Sequence, residues 1–140
     1  MSEWLSPPIG GVVHADTNPS MRTEVRDLWV AALRSGIYPQ SHAGRLRTEE
    51  GFCPLGVLCD VAATVGVLAW ENIDSSWFIG PWIDGTTVPP LIYDWAGFAG
   101  MHPSQLVPLE YGGVVHPVYR LNDRFKLDFD KIAELVETQY

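Results

Sequence analysis

The residues with the clearest capacity for chemistry are two arginines, Arg45 and Arg47, and a group of aromatic side chains that follows them. A guanidinium group is planar and can bind a carboxylate or a phosphate through two parallel hydrogen bonds. The aromatic residues between positions 70 and 95 are Trp70, Trp77, Phe78, Trp82, Tyr93 and Trp95. Trp, Tyr and Arg supply much of the binding energy at protein interfaces. We therefore predict a binding surface that includes Arg45, Arg47, Trp77 and Trp82.

Both groups also have a simpler interpretation. The arginines could form only a solvated charged segment, and the aromatics could supply the apolar area that a small core needs. The sequence leaves these alternatives open.

The charge of the chain is unevenly distributed. Its 140 residues carry a formal net charge of −8. Positions 22–47 contain five arginines against Glu24 and Asp27, whereas no Lys or Arg occurs between Arg47 and Arg120. The net charge argues against binding to extended nucleic acid or to an anionic membrane. The local excess of positive charge is still compatible with one small anion, such as a nucleotide phosphate.

A second candidate site is the dipeptide Asn122-Asp123, directly before the last predicted helix. Asn and Asp side chains often bond to nearby backbone amides, so a structural role in a turn is the simpler interpretation. We keep both residues as candidates for ligand or partner binding.

Catalysis through a cysteine is a weaker possibility. Cys53 or Cys59 could combine with His42 or His116 and Asp123, but no nucleophile motif surrounds either cysteine. The spacing of the cysteines and histidines does not match a zinc site, so we expect no metal and no other cofactor. The N-terminus has no secretory signal pattern, and we therefore expect free thiols in a reducing, cytoplasmic environment.

Length and composition predict a single folded domain. The chain is 46% hydrophobic and 19% charged, which is too apolar for disorder. Prolines and glycines in residues 1–18 predict an irregular N-terminal arm, and residues 19–140 a single α+β domain. The apolar run at 53–70 has Asp60 near its middle, where an acid is costly in a bilayer, so we expect a core helix there and no membrane span.

Apolar periodicity predicts about four helices packed with a small antiparallel sheet. The predicted helices cover 18–35, 54–64 and 91–98, and the segment that begins at Asp128. The predicted strands lie at 76–79, 82–88 and 114–119. The segment 121–123 is predicted to be a turn.

Three blocks of the sequence resemble a known family. They are Trp29-Val-Ala-Ala-Leu-Arg-Ser-Gly36, then Gly51-Phe-Cys-Pro-Leu-Gly-Val-Leu-Cys-Asp60, and finally Leu121-Asn-Asp123 with Phe129-Asp-Lys-Ile-Ala-Glu-Leu-Val-Glu137. In this order they resemble a family of small proteins from actinobacterial phages and prophages. The sequence departs from the family pattern at Pro54, where the family has a second adjacent cysteine. The resemblance implies a phage or actinobacterial origin and brings no activity with it.

These observations favour a non-enzymatic, phage-type accessory protein that binds a host protein in the host cytoplasm, for host takeover or counter-defence. The first alternative is a small-molecule binder that sequesters a nucleotide signal, with Arg45 and Arg47 on the phosphates and an aromatic ring stacked on the base. The second alternative is a cysteine-dependent enzyme.

Overall fold

The computed structural model describes residues 21–74, 76–79, 85–98, 101–102 and 105–140. The predicted arm at 1–18 and Trp82 lie outside these residues. Within them the chain forms five helices: α1 (Thr23–Arg34), α2 (Pro54–Thr64), α3 (Pro90–Ala96), α4 (Val118–Asp123) and α5 (Phe129–Gln139). It also forms four strands: β1 (Trp70–Ile73), β2 (Ser76–Ile79), β3 (Pro108–Tyr111) and β4 (Val114–Pro117). The α+β class is confirmed.

Helix α2 lies in the middle of the core, as its uniformly apolar sequence predicts. Eight of its eleven residues are buried, and α1 packs against it on one side. The side chain of Trp29 joins the two helices, because its Nε1 donates a hydrogen bond of 2.9 Å to the carbonyl of Pro54. In the described part of the chain, no helix combines the length and apolarity needed to cross a bilayer.

The segment that carries Arg45 and Arg47 packs tightly against the start of α2. Gly56 lies directly against the backbone carbonyl of Leu46, so that a Cβ atom at position 56 would collide with it. The amide of Cys53 also donates to this carbonyl, at 3.2 Å. The absence of a side chain at Gly56 therefore fixes how closely the two segments approach.

The described strands form two separate two-stranded antiparallel sheets, β1–β2 and β3–β4, where one small sheet was predicted. The predicted strand at 76–79 is confirmed as β2. The prediction for 82–88 is wrong where the structure describes it, because residues 85–88 form a turn and a loop. Strand β1 was missed because it lacks an alternating pattern, since its last three residues are all exposed. Strand β3 was missed as well.

Two further boundaries differ from the predictions. Helix α1 begins at Thr23 and not at position 18, because Arg22 is extended and its amide donates to the carbonyl of Ala96, at 3.0 Å. The predicted strand at 114–119 ends at Pro117. Helix α4 follows at 118–123, where a strand was predicted for 118–119 and a turn for 121–123. Proline ends the strand because it has no amide hydrogen, and its fixed φ suits the position before a helix.

The outer edge of β3 is covered by one side chain of α5. The amide group of Gln139 accepts a hydrogen bond from the Glu110 backbone amide at 2.8 Å and donates one to the Glu110 carbonyl at 2.9 Å. Both outward-facing backbone groups of Glu110 are thus paired.

Candidate functional site

The structure brings three of the predicted site residues, Arg45, Arg47 and Trp77, onto one surface. We call it the arginine–aromatic surface, and its members are Arg45, Arg47, Phe52, Trp70, Trp77 and Phe78. Two local structures build it. The hairpin β1–β2 places Trp70 and Trp77 on the same face, with ring centroids 6.3 Å apart. A bridge between the backbones of Arg47 and Phe52 brings those two side chains together.

The guanidinium group of Arg47 lies at the centre of these aromatic rings. Its Cζ atom is 3.5 Å from the ring centroid of Trp77, 5.0 Å from that of Phe52 and 5.3 Å from that of Trp70. A cation over an aromatic face is attracted by the ring quadrupole, and the attraction grows when water is excluded. Arg47 therefore covers one face of Trp77.

Asp60 of α2 supports the same surface from behind. Its carboxylate accepts hydrogen bonds from the Tyr38 hydroxyl at 2.5 Å and from Trp70 Nε1 at 3.0 Å. Burial, followed by the hydrogen bond to Asp60, raises the pKa of Tyr38 to about 12. Burial lowers the pKa of Arg47, and the negative charge of Asp60 opposes that effect. The surface thus combines partly desolvated aromatic, cationic and anionic groups.

Arg45 lies beside this arrangement, where a glycine makes room for it. Its guanidinium rests against Gly85, at which any Cβ atom would collide with it. Its Cζ atom is also 5.9 Å from the ring centroid of Phe78. The amide of Leu46 donates to the Gly85 carbonyl at 2.9 Å, which holds the two segments together.

A cavity of about 280 Å³ lies next to the two arginines. Its lining residues are Arg45, Arg47, Thr48, Glu49, Glu50 and Ser76. The two glutamates place negative charge in the same cavity as the guanidinium groups. This mixture of charges is unfavourable for a polyphosphate.

The arginines of α1 do not extend this surface into a basic patch. Arg34 pairs with Glu137 at 3.0 Å and Arg26 pairs with Asp27 at 2.9 Å. Their charges are balanced by neighbouring acids. The excess of positive charge counted along positions 22–47 is therefore divided between separate places in the fold.

Asn122, another of the six predicted site residues, is fully buried and connects α4 to residues 40–42. Its side-chain oxygen accepts from Gln40 Nε2 at 2.7 Å, and its Nδ2 donates to the carbonyl of Ser41 at 2.9 Å and to Asp123 Oδ1 at 2.8 Å. Its backbone carbonyl lies 2.7 Å from Nδ1 of His42. These bonds use the polar groups of the Asn122 side chain within the protein.

Asp123, the last of the six predicted site residues, lines a different and larger cavity of about 500 Å³, which we call the Asp123 cleft. The cleft is lined by residues from five separate stretches of the chain. They are Gly44, Leu55, Thr86, Thr87, Val88, His102, Tyr119 and Asp123. Of these residues, Asp123 alone was predicted from the sequence. The others are distant in sequence, and nothing in their local pattern indicated that they meet.

The cysteines are poorly placed for catalysis. Both are free and buried. Burial raises the pKa of Cys53 to about 12 and that of Cys59 well above its usual value, so neither forms the reactive thiolate near neutral pH. Cys53 instead caps the N-terminus of α2, where its Sγ accepts a hydrogen bond from the Gly56 amide at 3.3 Å. Among the described residues, no group of three or more metal-ligating side chains comes together.

The fold and these two regions define a small α+β protein with an arginine–aromatic surface and a separate cleft. A family model matches residues 21–140, and the chain belongs to that family, the domain of unknown function DUF8296. No curated protein and no solved structure matches the chain.

Proposed function

We propose that this protein is a non-enzymatic, phage-type accessory protein that binds a host protein through the arginine–aromatic surface. The observation behind the proposal is the position of Arg47, whose Cζ lies 3.5 Å from the ring centroid of Trp77. Arg and Trp are the residue types most enriched at the centres of protein interfaces. Because these two are already held in place, less side-chain entropy is lost when a partner binds.

Two observations favour a protein partner over a nucleotide. One face of Trp77 is occupied by Arg47 and is not free to stack on a base. The adjacent cavity, of about 280 Å³, contains Glu49 and Glu50 as well as the arginines. A folded protein can match such mixed charges with its own acids and bases, whereas a polyphosphate presents only negative charge.

The proposal places the protein in the cytoplasm of the host bacterium. Two free, buried thiols suit a reducing compartment. Their burial and raised pKa values also count against the alternative of a cysteine-dependent enzyme.

The test is a comparison of matched variants in affinity capture from an actinobacterial lysate. Arg45→Gln and Trp77→Ala alter the surface, and Arg34→Gln removes an arginine of α1 on a different part of the molecule. We expect the wild type and Arg34→Gln to retain the same host protein, and Arg45→Gln and Trp77→Ala to lose it. With the purified partner, Trp77→Ala should bind about tenfold more weakly or worse, which corresponds to at least about 1.4 kcal/mol.

Thermal unfolding of each variant shows whether it is folded, so that lost binding is not confused with lost structure. The proposal is overturned if all four proteins retain the same partners equally well. It is also overturned if the wild type is stabilised by a nucleotide and that stabilisation disappears in Arg45→Gln, because the surface would then be a nucleotide site.

A further inference from the structure

The Asp123 cleft has the composition of a small-molecule site. Its volume of about 500 Å³ lies within the range of ligand pockets, which is roughly 300–1,000 Å³. Leu55 and Val88 give it an apolar wall, and both are buried. A few polar groups beside an apolar wall are what such sites use to orient a ligand.

Two of the lining residues have a defined relation to each other. Tyr119 and Asp123 are four residues apart on α4, so they occupy the same side of that helix. Tyr119 is 38% exposed and supplies an aromatic ring, and Asp123 supplies a carboxylate. A carboxylate next to an aromatic ring is favourable for binding a protonated amine. The ammonium group forms an ion pair with the carboxylate, and the face of the ring attracts its positive charge.

Asp123 is held in place by the buried residue before it. Its Oδ1 accepts a hydrogen bond of 2.8 Å from Nδ2 of Asn122. Asn122 is itself fixed by bonds to Gln40 and Ser41. A carboxylate that is oriented before the ligand arrives costs less entropy on binding.

We infer that the Asp123 cleft binds a small molecule in which a protonated amine is joined to an apolar body. The ammonium group lies between Asp123 and Tyr119, and the apolar body lies against Leu55 and Val88. The negative net charge of −8 favours a cation over an anion here as well. The inference does not depend on the arginine–aromatic surface, which uses other residues.

The experiment is a titration of the ¹⁵N-labelled full chain, monitored by amide chemical shifts, with two probes of the same shape. 2-Phenylethylamine carries the cation, and 2-phenylethanol has the same apolar body with a neutral hydroxyl. Up to about 10 mM, where a ligand with a millimolar dissociation constant fills most of its site, we expect the amine to shift the amides of Gly44, Thr87 and Asp123. The alcohol should bind about tenfold more weakly or worse.

Three variants identify the group that recognises the cation. Asp123→Asn keeps the acceptor for Asn122 and removes the charge, and we expect it to weaken the amine about tenfold and leave the alcohol unchanged. Tyr119→Leu keeps the apolar area and removes the ring, and we expect a loss of about threefold for the amine alone. Asp130→Asn, an exposed aspartate on α5, is the matched control and should change neither.

The inference is overturned if the amine causes no shifts near the cleft in the wild type. It is equally overturned if the alcohol binds as tightly as the amine, or if Asp123→Asn binds the amine like the wild type. Should Asp123→Asn fail to fold, the comparison of Tyr119→Leu with Asp130→Asn decides the matter in the same way.

Discussion

The arginine–aromatic surface and the Asp123 cleft use similar components in opposite ways. At the first, the rings of Phe52, Trp70 and Trp77 surround a cation that the chain itself supplies, Arg47. In the second, a ring and a carboxylate lie beside a cavity of about 500 Å³. A group of aromatic residues therefore can bind an external cation only where the protein does not itself supply a cation to those rings. The aromatic rings of the arginine–aromatic surface already contact Arg47, whereas Tyr119 and Asp123 line a cavity.

Gly56 supports both regions through its packing. Gly56 packs against Leu46, which lies between the two arginines, and its neighbour Leu55 lines the cleft. Gly56→Ala should have the largest effect, a loss of about 3 kcal/mol in the free energy of unfolding, because the new methyl group collides with backbone that cannot easily move. Urea unfolding measures it.

The control for this change is Gly36→Ala. Gly36 has a left-handed φ of 77° but open space around it, so alanine there suffers only the backbone strain, about 1 kcal/mol. If Gly36→Ala proved as damaging as Gly56→Ala, close packing at Gly56 would not be the cause of the loss.

Asn122→Ala should alter the Asp123 cleft and leave the arginine–aromatic surface unchanged. It leaves the buried carbonyl of Ser41 without its side-chain donor and removes one of the two acceptors of Gln40 Nε2, which keeps its bond to the Leu127 carbonyl, at a cost of about 2 kcal/mol in the free energy of unfolding. We expect amide shifts around Asp123 to change while the indole signals of Trp70 and Trp77 stay in place. Asn72→Ala, at an exposed position of β1, is the control and should leave stability within about 0.5 kcal/mol of the wild type.

Arg47→Ala should affect only the arginine–aromatic surface. Losing the contact with Trp77 should lower stability by about 1 kcal/mol and change the tryptophan fluorescence spectrum. Arg45→Ala should cost less, because the Arg45 Cζ is 5.9 Å from the ring centroid of Phe78, whereas the Arg47 Cζ is 3.5 Å from that of Trp77. Equal losses for the two variants would contradict a special role for the Arg47–Trp77 contact.

The last expected effect is confined to alkaline pH. The pKa of Tyr38 rises from an ordinary 10.0 to about 12 in the folded protein. Above pH 10 the unfolded chain releases this proton first, so stability is retained below pH 10 and falls as the pH rises towards 12. Tyr38→Phe should show a shallower fall over this window in urea unfolding.

The slope is the quantity to compare in that experiment, because Tyr38→Phe also loses the hydrogen bond to Asp60 and so starts from a lower stability. Burial raises the pKa of Cys53 too, and that contribution is common to both proteins. Identical slopes for wild type and variant would show that Tyr38 titrates normally in the folded state.

Elements with local signals were predictable from the sequence, and elements made by distant contacts were not. Helix α2 was predicted to its exact ends by a proline and a continuous apolar run, and α5 by the cap at Asp128, which accepts from the Lys131 amide at 2.8 Å. Strand β1 depends on pairing with β2, and the start of α1 depends on the bond between Arg22 and Ala96. No local pattern encodes such contacts.

The same division applies to the candidate sites. Residue type and spacing pointed to Arg45, Arg47 and Trp77, which do meet, because short segments and a hairpin bring them together. The sequence did not reveal that the guanidinium group of Arg47 would itself lie against the aromatic rings. The Asp123 cleft was represented only by Asp123, since its remaining residues come from stretches that the fold alone assembles.

The bonds between Gln139 and Glu110 have a consequence for how copies of this protein could associate. A two-residue turn at Gly112-Gly113 joins β3 to β4, so Glu110 and Val115 face each other as the pair whose backbone groups point outward. On the β3 side, the side-chain amide of Gln139 forms the two hydrogen bonds to Glu110 that a neighbouring strand would otherwise form. Addition of a foreign strand along β3 would first have to displace it. The glutamine therefore protects this edge against the strand-to-strand contacts by which exposed hairpins aggregate.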